Sequence, residues 1–444
     1  MHWLETYKVL SAMKERLKWS REELDRYRLW KLRNLVRYAY YNSSFYRSLY
    51  DQQNVKPDQI ETLADVVRLP IIDKQMLRSL EPLEVVTEPV KQQVQNESDW
   101  MTEVTSGSTG VPLRIRRTWR DLHYIKAKII RAFGQTGFRF YHKQAVLKSS
   151  SESLSGKHWF ERFGVLRKYW LSVTDPPDFN LRRLQEITPQ HVHGYPSGLQ
   201  AIAQLLEQEG KSFHIPVICS GAEVLEPLVR RQIAEAFRAE IFDLYGVREV
   251  GNVAWECKAH DGLHINDDAL IVELLGAGDQ PVAVGEEGEV VVTYLDATDY
   301  PFIRYRLGDR AVQMAGTCKC GVQFNRLNSI TGRTDARILL PSGKWISGMV
   351  FQELRTAPWV SVYRLIQEDL KSVKLQVVPK KSLNPNELEA LVTRAQELVN
   401  NELRIIPEVL SRLEYDASGK LRSVICRIDE PQDQSTAPSK SEDD

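Results

Sequence analysis

Between residues 100 and 330, short β-branched runs alternate with longer helical stretches, a pattern that restricts the chain to layered α/β architecture. Ala145-Val146-Leu147, Ile215-Pro216-Val217-Ile218 and Glu289-Val290-Val291-Val292-Thr293 read as strands, and Gly198 to Gln208 and Glu226 to Ala239 read as helices. A smaller α/β segment follows, with Val373 to Val378 as a strand and Asn386 to Asn401 as a helix. At about 150 residues per domain, a chain of 444 residues holds two or three domains. The expected organisation is a large α/β domain over 1–332 whose first 100 residues are largely helical, then a small α/β domain over 333–429. The polar tail from 430 to 444 has no periodicity and is expected to be disordered.

Charge narrows the function classes. Lys+Arg and Asp+Glu are equal at 59 each, so no global field points to nucleic acid or an anionic membrane. Residues 1 to 50 are rich in Lys, Arg and aromatics, but Glu5, Glu15, Glu22, Glu23 and Asp25 interrupt any basic arm. Leu29, Leu32, Leu35, Val36 and Ala39 recur at helical spacing, so this region reads as packed helices with solvated faces. The start lacks the basic-then-apolar pattern of a signal peptide, and no apolar run approaches the roughly 18 to 20 residues that span a bilayer. Five cysteines in a chain of this size do not read as a disulfide framework. A soluble cytoplasmic protein, monomeric or homodimeric, is the expectation.

The most informative segment is Thr105-Ser106-Gly107-Ser108-Thr109-Gly110-Val111-Pro112. Its glycines let the backbone approach an anion closely, and its hydroxyls add donors for phosphate oxygens. It lacks the glycine spacing and lysine of a Walker loop, and no stretch fits the dinucleotide-binding glycine fingerprint. Taken alone, it reads equally as a phosphate loop and as a Ser/Gly-rich surface turn.

Five further segments follow it. Ser220-Gly221-Ala222-Glu223 precedes a helix, and Asp243-Leu244-Tyr245-Gly246-Val247-Arg248-Glu249 follows that helix. Then come Arg304-Tyr305-Arg306-Leu307-Gly308-Asp309, Gly332-Arg333-Thr334-Asp335 and Ala417-Ser418-Gly419-Lys420. With the loop, this ordered set resembles the adenylate-forming superfamily of acyl-CoA synthetases, adenylation domains and luciferases. Val36 to Arg47 and Leu69-Pro70-Ile71-Ile72-Asp73-Lys74 resemble the N-terminus of phenylacetate–CoA ligase-like proteins. Pro112-Leu113-Arg114 looks nearer to their relatives in capsule-polysaccharide clusters. The resemblance runs over residues 28 to 427 and implies a large ATP- and acyl-binding α/β domain with a small mobile C-terminal α/β domain.

That resemblance implies a role for each position. Thr105, Ser106, Gly107, Ser108, Thr109 and Gly110 would hold the ATP phosphates, and Glu249 would ligate Mg²⁺, a hard cation that takes oxygen ligands. Tyr245 and Gly246 would border one adenine face, with Gly221, Ala222 and Glu223 opposite and Asp243 at the strand preceding Tyr245. Asp309 would accept from the ribose hydroxyls, with Arg333 as a cationic fork nearby. Lys420 would bring a point charge to the carboxylate and α-phosphate, and Asp335 would be the hinge. Two positions depart from the family pattern: Leu113 replaces a common lysine, and Arg248 replaces the expected threonine before Glu249. Arg248 is therefore expected to place a cation beside phosphate or the substrate carboxylate.

Cys257 is followed by His260 and His264, and Cys318-Lys319-Cys320-Gly321 lies further on. Three cysteines and one histidine complete a tetrahedral structural Zn²⁺ site, with either histidine as the fourth ligand. Metal-free relatives of the branch lack the cysteine pair and a histidine at the place of His264, which implies His264 before His260. His193-Gly194-Tyr195, with Trp159, Phe160 and Trp170 upstream, corresponds to the region bordering the acyl pocket in the family. The expected activity is ATP-dependent formation of an acyl-adenylate, with coenzyme A as acceptor. An amine or hydroxyl acceptor, or a silent binding protein on the same fold, are the competing readings.

Overall fold

The computed structural model describes residues 2–94, 100–104, 113–149, 159–333, 336–380, 383–414, 416 and 420–428. The phosphate-loop segment 105–112, Asp335, residues 417–419 and the tail therefore lie outside the described residues. The chain divides into two compact units, Met1–Thr334 with Tyr415–Leu421, and Asp335–Glu414 with Arg422–Asp444. The span 333–429 expected for the second domain is thus interrupted, because Tyr415–Leu421 groups with the first unit.

The first unit opens with helices α1 (His2–Arg16), α2 (Arg21–Asn42), α3 (Ser44–Gln52), α4 (Lys74–Arg78), α5 (Pro82–Val85) and α6 (Glu88–Gln93). A capping box starts α2: Ser20 Oγ accepts from the Glu23 amide at 3.2 Å, while the Glu23 carboxylate accepts from the Ser20 amide at 2.8 Å. A two-stranded ladder, β1 (Met101–Val104) with β2 (Arg114–Arg117), flanks residues 105–112, and α7 (Trp119–Gln135) follows it.

The remaining elements alternate as expected at first: β3 (Gln144–Lys148), β4 (Lys168–Ser172), α8 (Pro177–Ile187), β5 (His191–Gly194), α9 (Pro196–Gln208), β6 (Val217–Gly221), α10 (Pro227–Phe237) and β7 (Glu240–Val247). Five strands in the order β7-β6-β5-β3-β4 are parallel. Beyond β7 the sheet changes character. Strands β8 (Gly251–Glu256), β9 (Leu263–Ile265), β10 (Leu270–Leu275), β11 (Glu287–Tyr294), β12 (Tyr305–Met314) and β13 (Arg326–Arg333) join it antiparallel, completing the order β10-β11-β12-β13-β9-β8-β7. An apolar run does not mark strands such as β12, which buries Tyr305, Leu307, Asp309 and Ala311 and carries Arg306 and Arg310 on the other face.

The first unit is stitched internally by buried charge. Arg131 on α7 donates to both Asp268 oxygens at 2.8 and 2.7 Å, and Arg16 donates to the same carboxylate at 2.7 Å. Arg21 reaches Asp267 at 2.9 Å, and Lys31 reaches Asp296 at 2.6 Å. These pairs tie α1 and α2 to the loop before β10, to the loop after β11 and to α7.

The second unit has its own core around Ile338, Leu340, Phe351, Tyr363, Leu375 and Leu391. A short hairpin, β14 (Arg337–Leu339) with β15 (Trp345–Ser347), precedes β16 (Val360–Gln367), β17 (Ser372–Pro379), α11 (Pro385–Leu398), β18 (Arg404–Val409) and β19 (Val424–Cys426). The last four strands form one sheet in the order β18-β17-β16-β19. Asn384 caps α11 by accepting from the Asn386 amide at 3.0 Å, and Pro385 sits in its first turn, where the missing amide costs nothing.

Candidate active site

The turn between β7 and β8 organises the site. Tyr245 lies near the end of β7, Arg248 and Glu249 occupy the turn, and Gly251 restarts the chain at φ +71°. A Cβ at Gly251 would meet Ile125 Cγ2 at 2.9 Å, so both conformation and space demand glycine there. Tyr245 Oη donates to Asp309 Oδ2 at 2.8 Å, and Arg333 Nη1 donates to Asp309 Oδ1 at 3.3 Å. The β12–β13 register pairs Asp309 with Arg333, which explains how residues 24 apart come together. Glu249 is buried beside them and accepts from Tyr305 Oη at 3.3 Å, while Arg248 is exposed. Burial raises the Asp309 carboxyl above its ordinary value, with Arg333 and Tyr245 pulling the other way.

The end of β6 forms the neighbouring wall. Gly221 packs so closely that a Cβ would lie 2.9 Å from the Leu244 carbonyl. Ala222 adopts φ +70°, an uncommon conformation for a residue with a Cβ. Glu223 is engaged: its Oε2 accepts from the Ser197 amide and its Oε1 from Ser197 Oγ, both at 3.0 Å. Oε1 also accepts from the Leu421 amide at 2.9 Å. The carboxylate thus caps α9 and anchors the chain next to Lys420. Burial lowers the Lys420 ammonium below the usual lysine range, opposed by Glu223, Asp416 and Asp309. On β7, burial and the nearby Glu256 push the Asp243 carboxyl up to about 7. Gly246 lies in the same turn region, where a Cβ would stand 3.1 Å from the Gly251 carbonyl.

His193, Gly194 and Tyr195 close β5 and enter α9. The His193 ring packs edge-on to Phe133 at 5.2 Å, and burial pushes its pKa well below the usual imidazole value, so it is neutral. Tyr195 is buried, and its amide donates to the Leu147 carbonyl at 3.2 Å.

Away from this turn, the structure brings Cys257, His264, Cys318 and Cys320 together with ligand atoms within 4.8 Å of one another. Cys257 Sγ and Cys318 Sγ are 3.7 Å apart, and Cys320 Sγ is 3.3 Å from His264 Nε2. A tetrahedron with zinc–sulfur bonds of about 2.3 Å and zinc–nitrogen bonds of about 2.0 Å has S···S edges of about 3.8 Å and S···N edges of about 3.5 Å, so the donors fit a zinc ion. Stacking on Trp255 at 4.8 Å fixes the His264 ring, and burial pushes its pKa to about 4, leaving neutral imidazole as the donor. His260 is not part of this cluster. Its ring bonds to Glu256 at 2.8 Å and Glu240 at 3.2 Å.

Sequence reasoning missed Tyr305 and Arg117. Tyr305 lies within the Arg-Tyr-Arg signature and could have been read from it. Arg117, which donates to the Arg248 carbonyl at 2.9 Å, acts on backbone 131 residues away and carries no local signal beyond Asp121 one helical turn on.

Known proteins resemble this chain in sequence and in fold. The CapK C-terminal domain family matches residues 338–427. The phenylacetate–coenzyme A ligase of Aromatoleum evansii is 26% identical over 408 residues, covering 88% of this chain and 90% of that protein. The Escherichia coli K12 phenylacetate–coenzyme A ligase is 27% identical over 332 residues, covering 72% and 73%. Among solved structures, a 2-hydroxyisobutyryl-CoA ligase in the postadenylation state superposes with a TM-score of 0.76 at 21% identity, covering 93% of this chain and 91% of that one. This chain is a homologue of the phenylacetate–coenzyme A ligases, with a CapK C-terminal domain and the fold of the adenylate-forming acyl-CoA ligases.

Proposed function

We propose that this protein joins a carboxylic acid to coenzyme A in two steps. A carboxylate oxygen attacks the α-phosphorus of ATP, the bond to the bridging oxygen of the β-phosphate breaks, and pyrophosphate leaves. The coenzyme A sulfur then attacks the acyl carbon, its proton is lost, and AMP departs with the carboxylate oxygen. The observation that carries this reading is Asp309, held by Tyr245 and Arg333, with the buried Glu249 carboxylate held by Tyr305 in the same site. A carboxylate offers about four lone-pair positions. Tyr245 and Arg333 occupy two, which leaves Asp309 able to accept from two ribose hydroxyls.

The other roles follow from charge and reach. Thr105 to Gly110 would hold the phosphates, with Gly221, Ala222, Asp243, Tyr245 and Gly246 around the adenine. Glu249 would hold magnesium, which supplies charge neutralisation on the phosphate oxygens. Arg248 and Lys420 would compensate charge developing at the carboxylate and α-phosphate, the kind of fixed electrostatics that dominates phosphoryl and acyl activation. Asp335 would serve as the hinge, and His193, Gly194 and Tyr195 would border the acyl group. Pyrophosphate release with Mg·ATP, measured across aryl, fatty, amino and sugar acids with and without coenzyme A, tests the proposal. Release that depends on one acid class, with coenzyme A consumed, supports it. Release with no coenzyme A consumption would move the acceptor to an amine or hydroxyl.

We also propose that Cys257, His264, Cys318 and Cys320 hold a structural zinc ion. Without a cation, burial pushes the Cys257 thiol up to about 12 and raises that of Cys320. A dication would supply the missing charge and join the segment after β8 to the turn before β13. Elemental analysis is expected to give about one zinc per chain. The C318S variant should lose the metal and melt at lower temperature. Metal-free protein whose melting is indifferent to added zinc would remove the assignment.

A further inference from the structure

We infer that Arg117 is a positioning residue that fixes the Arg248–Glu249 turn for Mg·ATP binding. This role rests on the reading of Glu249 as the magnesium ligand. Arg117 ends β2 and is fully buried. A side chain that loses all hydration must have its donors taken up by the protein, so its partners define its role. Nε donates to Glu103 Oε2 at 2.8 Å, Nη1 donates to Asp121, and Nη2 donates to the Arg248 carbonyl at 2.9 Å and to the Glu249 carbonyl. The Phe302 ring lies 5.8 Å from the guanidinium carbon. The next carbonyl in the turn, that of Val250, accepts from the buried Nζ of Lys128.

Three successive carbonyls, at positions 248, 249 and 250, are therefore held by two buried side chains, those of Arg117 and Lys128. Fixing that backbone fixes where the Glu249 side chain starts, and Tyr305 then sets where its carboxylate ends. The same guanidinium ties the turn to the β1–β2 ladder through Glu103, whose strand neighbour Val104 pairs with Arg114 at the ladder's inner end. A rigid fork can serve the two carboxylates and two carbonyls together. A lysine keeps the charge but cannot reach both sets.

The test is calorimetric titration of the full chain with Mg·α,β-methylene-ATP, which needs no acid substrate, repeated over a range of Mg²⁺ concentrations. Four proteins are compared: wild type, R117K, E249Q and R131K. Arg131 is equally buried and ion-paired but bonds to Asp268, Asn266 and the Met13 carbonyl. R117K is expected to bind the nucleotide about 10- to 100-fold more weakly and to need more Mg²⁺, the usual cost of losing support behind a metal ligand. R131K is expected to lose thermal stability with unchanged nucleotide affinity. Wild-type affinity in R117K, with weakened E249Q, overturns the role of Arg117 alone. Wild-type affinity in E249Q, or no nucleotide binding by the wild type, overturns the reading of Glu249 and this inference with it. Should R117K fail to fold, E103Q keeps the guanidinium and removes one counter-charge. Unchanged affinity and Mg²⁺ dependence in E103Q then overturn the inference.

Discussion

Replacing Lys420 with alanine is expected to slow acyl-adenylate formation by about 10²- to 10³-fold, the loss seen when one fixed electrostatic stabiliser is removed. The fold should survive. The bonds that hold this loop are made by backbone: the Lys420 amide donates to Asp416 Oδ1 at 3.0 Å, and its carbonyl accepts from the Asp416 amide at 2.9 Å. Truncation beyond Cβ leaves both intact. The charge state also predicts a pH dependence. Burial favours the neutral amine, so the proton is lost at lower pH than from a free lysine, despite Glu223, Asp416 and Asp309 nearby. Activity that needs the ammonium is present at lower pH and lost as pH rises through that lowered value. Arginine at this position does not titrate in the accessible range, so K420R should lack this alkaline loss. Equal pyrophosphate release by K420A and the wild type would remove Lys420 from the chemistry.

The largest effect on stability is expected from Arg131→Met. Arg131 and Asp268 are both fully buried, and Arg16 alone would remain on the carboxylate. Breaking one side of a buried pair leaves an uncompensated charge and costs roughly 3 to 5 kcal/mol. Urea unfolding of the full chain, followed by tryptophan fluorescence, reads this loss. The double variant R131M/D268L, which removes both charges, should recover part of it, and a double variant as unstable as R131M would argue against charge as the cause. Acid acts on the same group. Burial raises the Asp268 carboxyl, but Arg131 and Arg16 outweigh it and hold the pKa below the ordinary value. Its contribution is therefore fully present above the unfolded-state value of about 3.9 and is lost as pH falls through the lower folded value.

The parallel half of the large sheet was legible because β3 and β6 are short apolar runs bounded by helices with helical spacing. Of the antiparallel half, β11 was legible as the run Glu289 to Thr293, and the rest was not. In β12 the charged residues Arg306, Asp309 and Arg310 interrupt any apolar run, and its pairing with β13 depends on contacts far apart in sequence. At the site, Tyr245, Glu249, Asp309 and Arg333 could be named from ordered motifs, whereas the bonds of Tyr245 to Asp309 and of Tyr305 to Glu249 depend on contacts 64 and 56 residues apart in sequence. The four thiol and imidazole donors had a sequence signature, but Trp255 behind His264 had none. Arg117 was the hardest to see, since a guanidinium that bonds to carbonyls leaves no mark on the residues that supply them.

The salt links between the first two helices and the middle of the chain have a consequence for synthesis on the ribosome. Arg16 meets Asp268 across 252 residues, Arg21 meets Asp267 across 246, and Lys31 meets Asp296 across 265. At roughly 5 to 20 residues per second, the helices emerge about 10 to 50 seconds before their counter-charges exist. During that interval α1 and α2 lack the aspartates that hold them, and short isolated helices are marginal in water. A stalled nascent chain ending before residue 260 should therefore be cleaved readily within residues 2–42, whereas one carrying the whole first unit should resist. Early helices of this chain thus wait for later sequence to hold them, and their exposure to chaperones and proteases is set by translation speed.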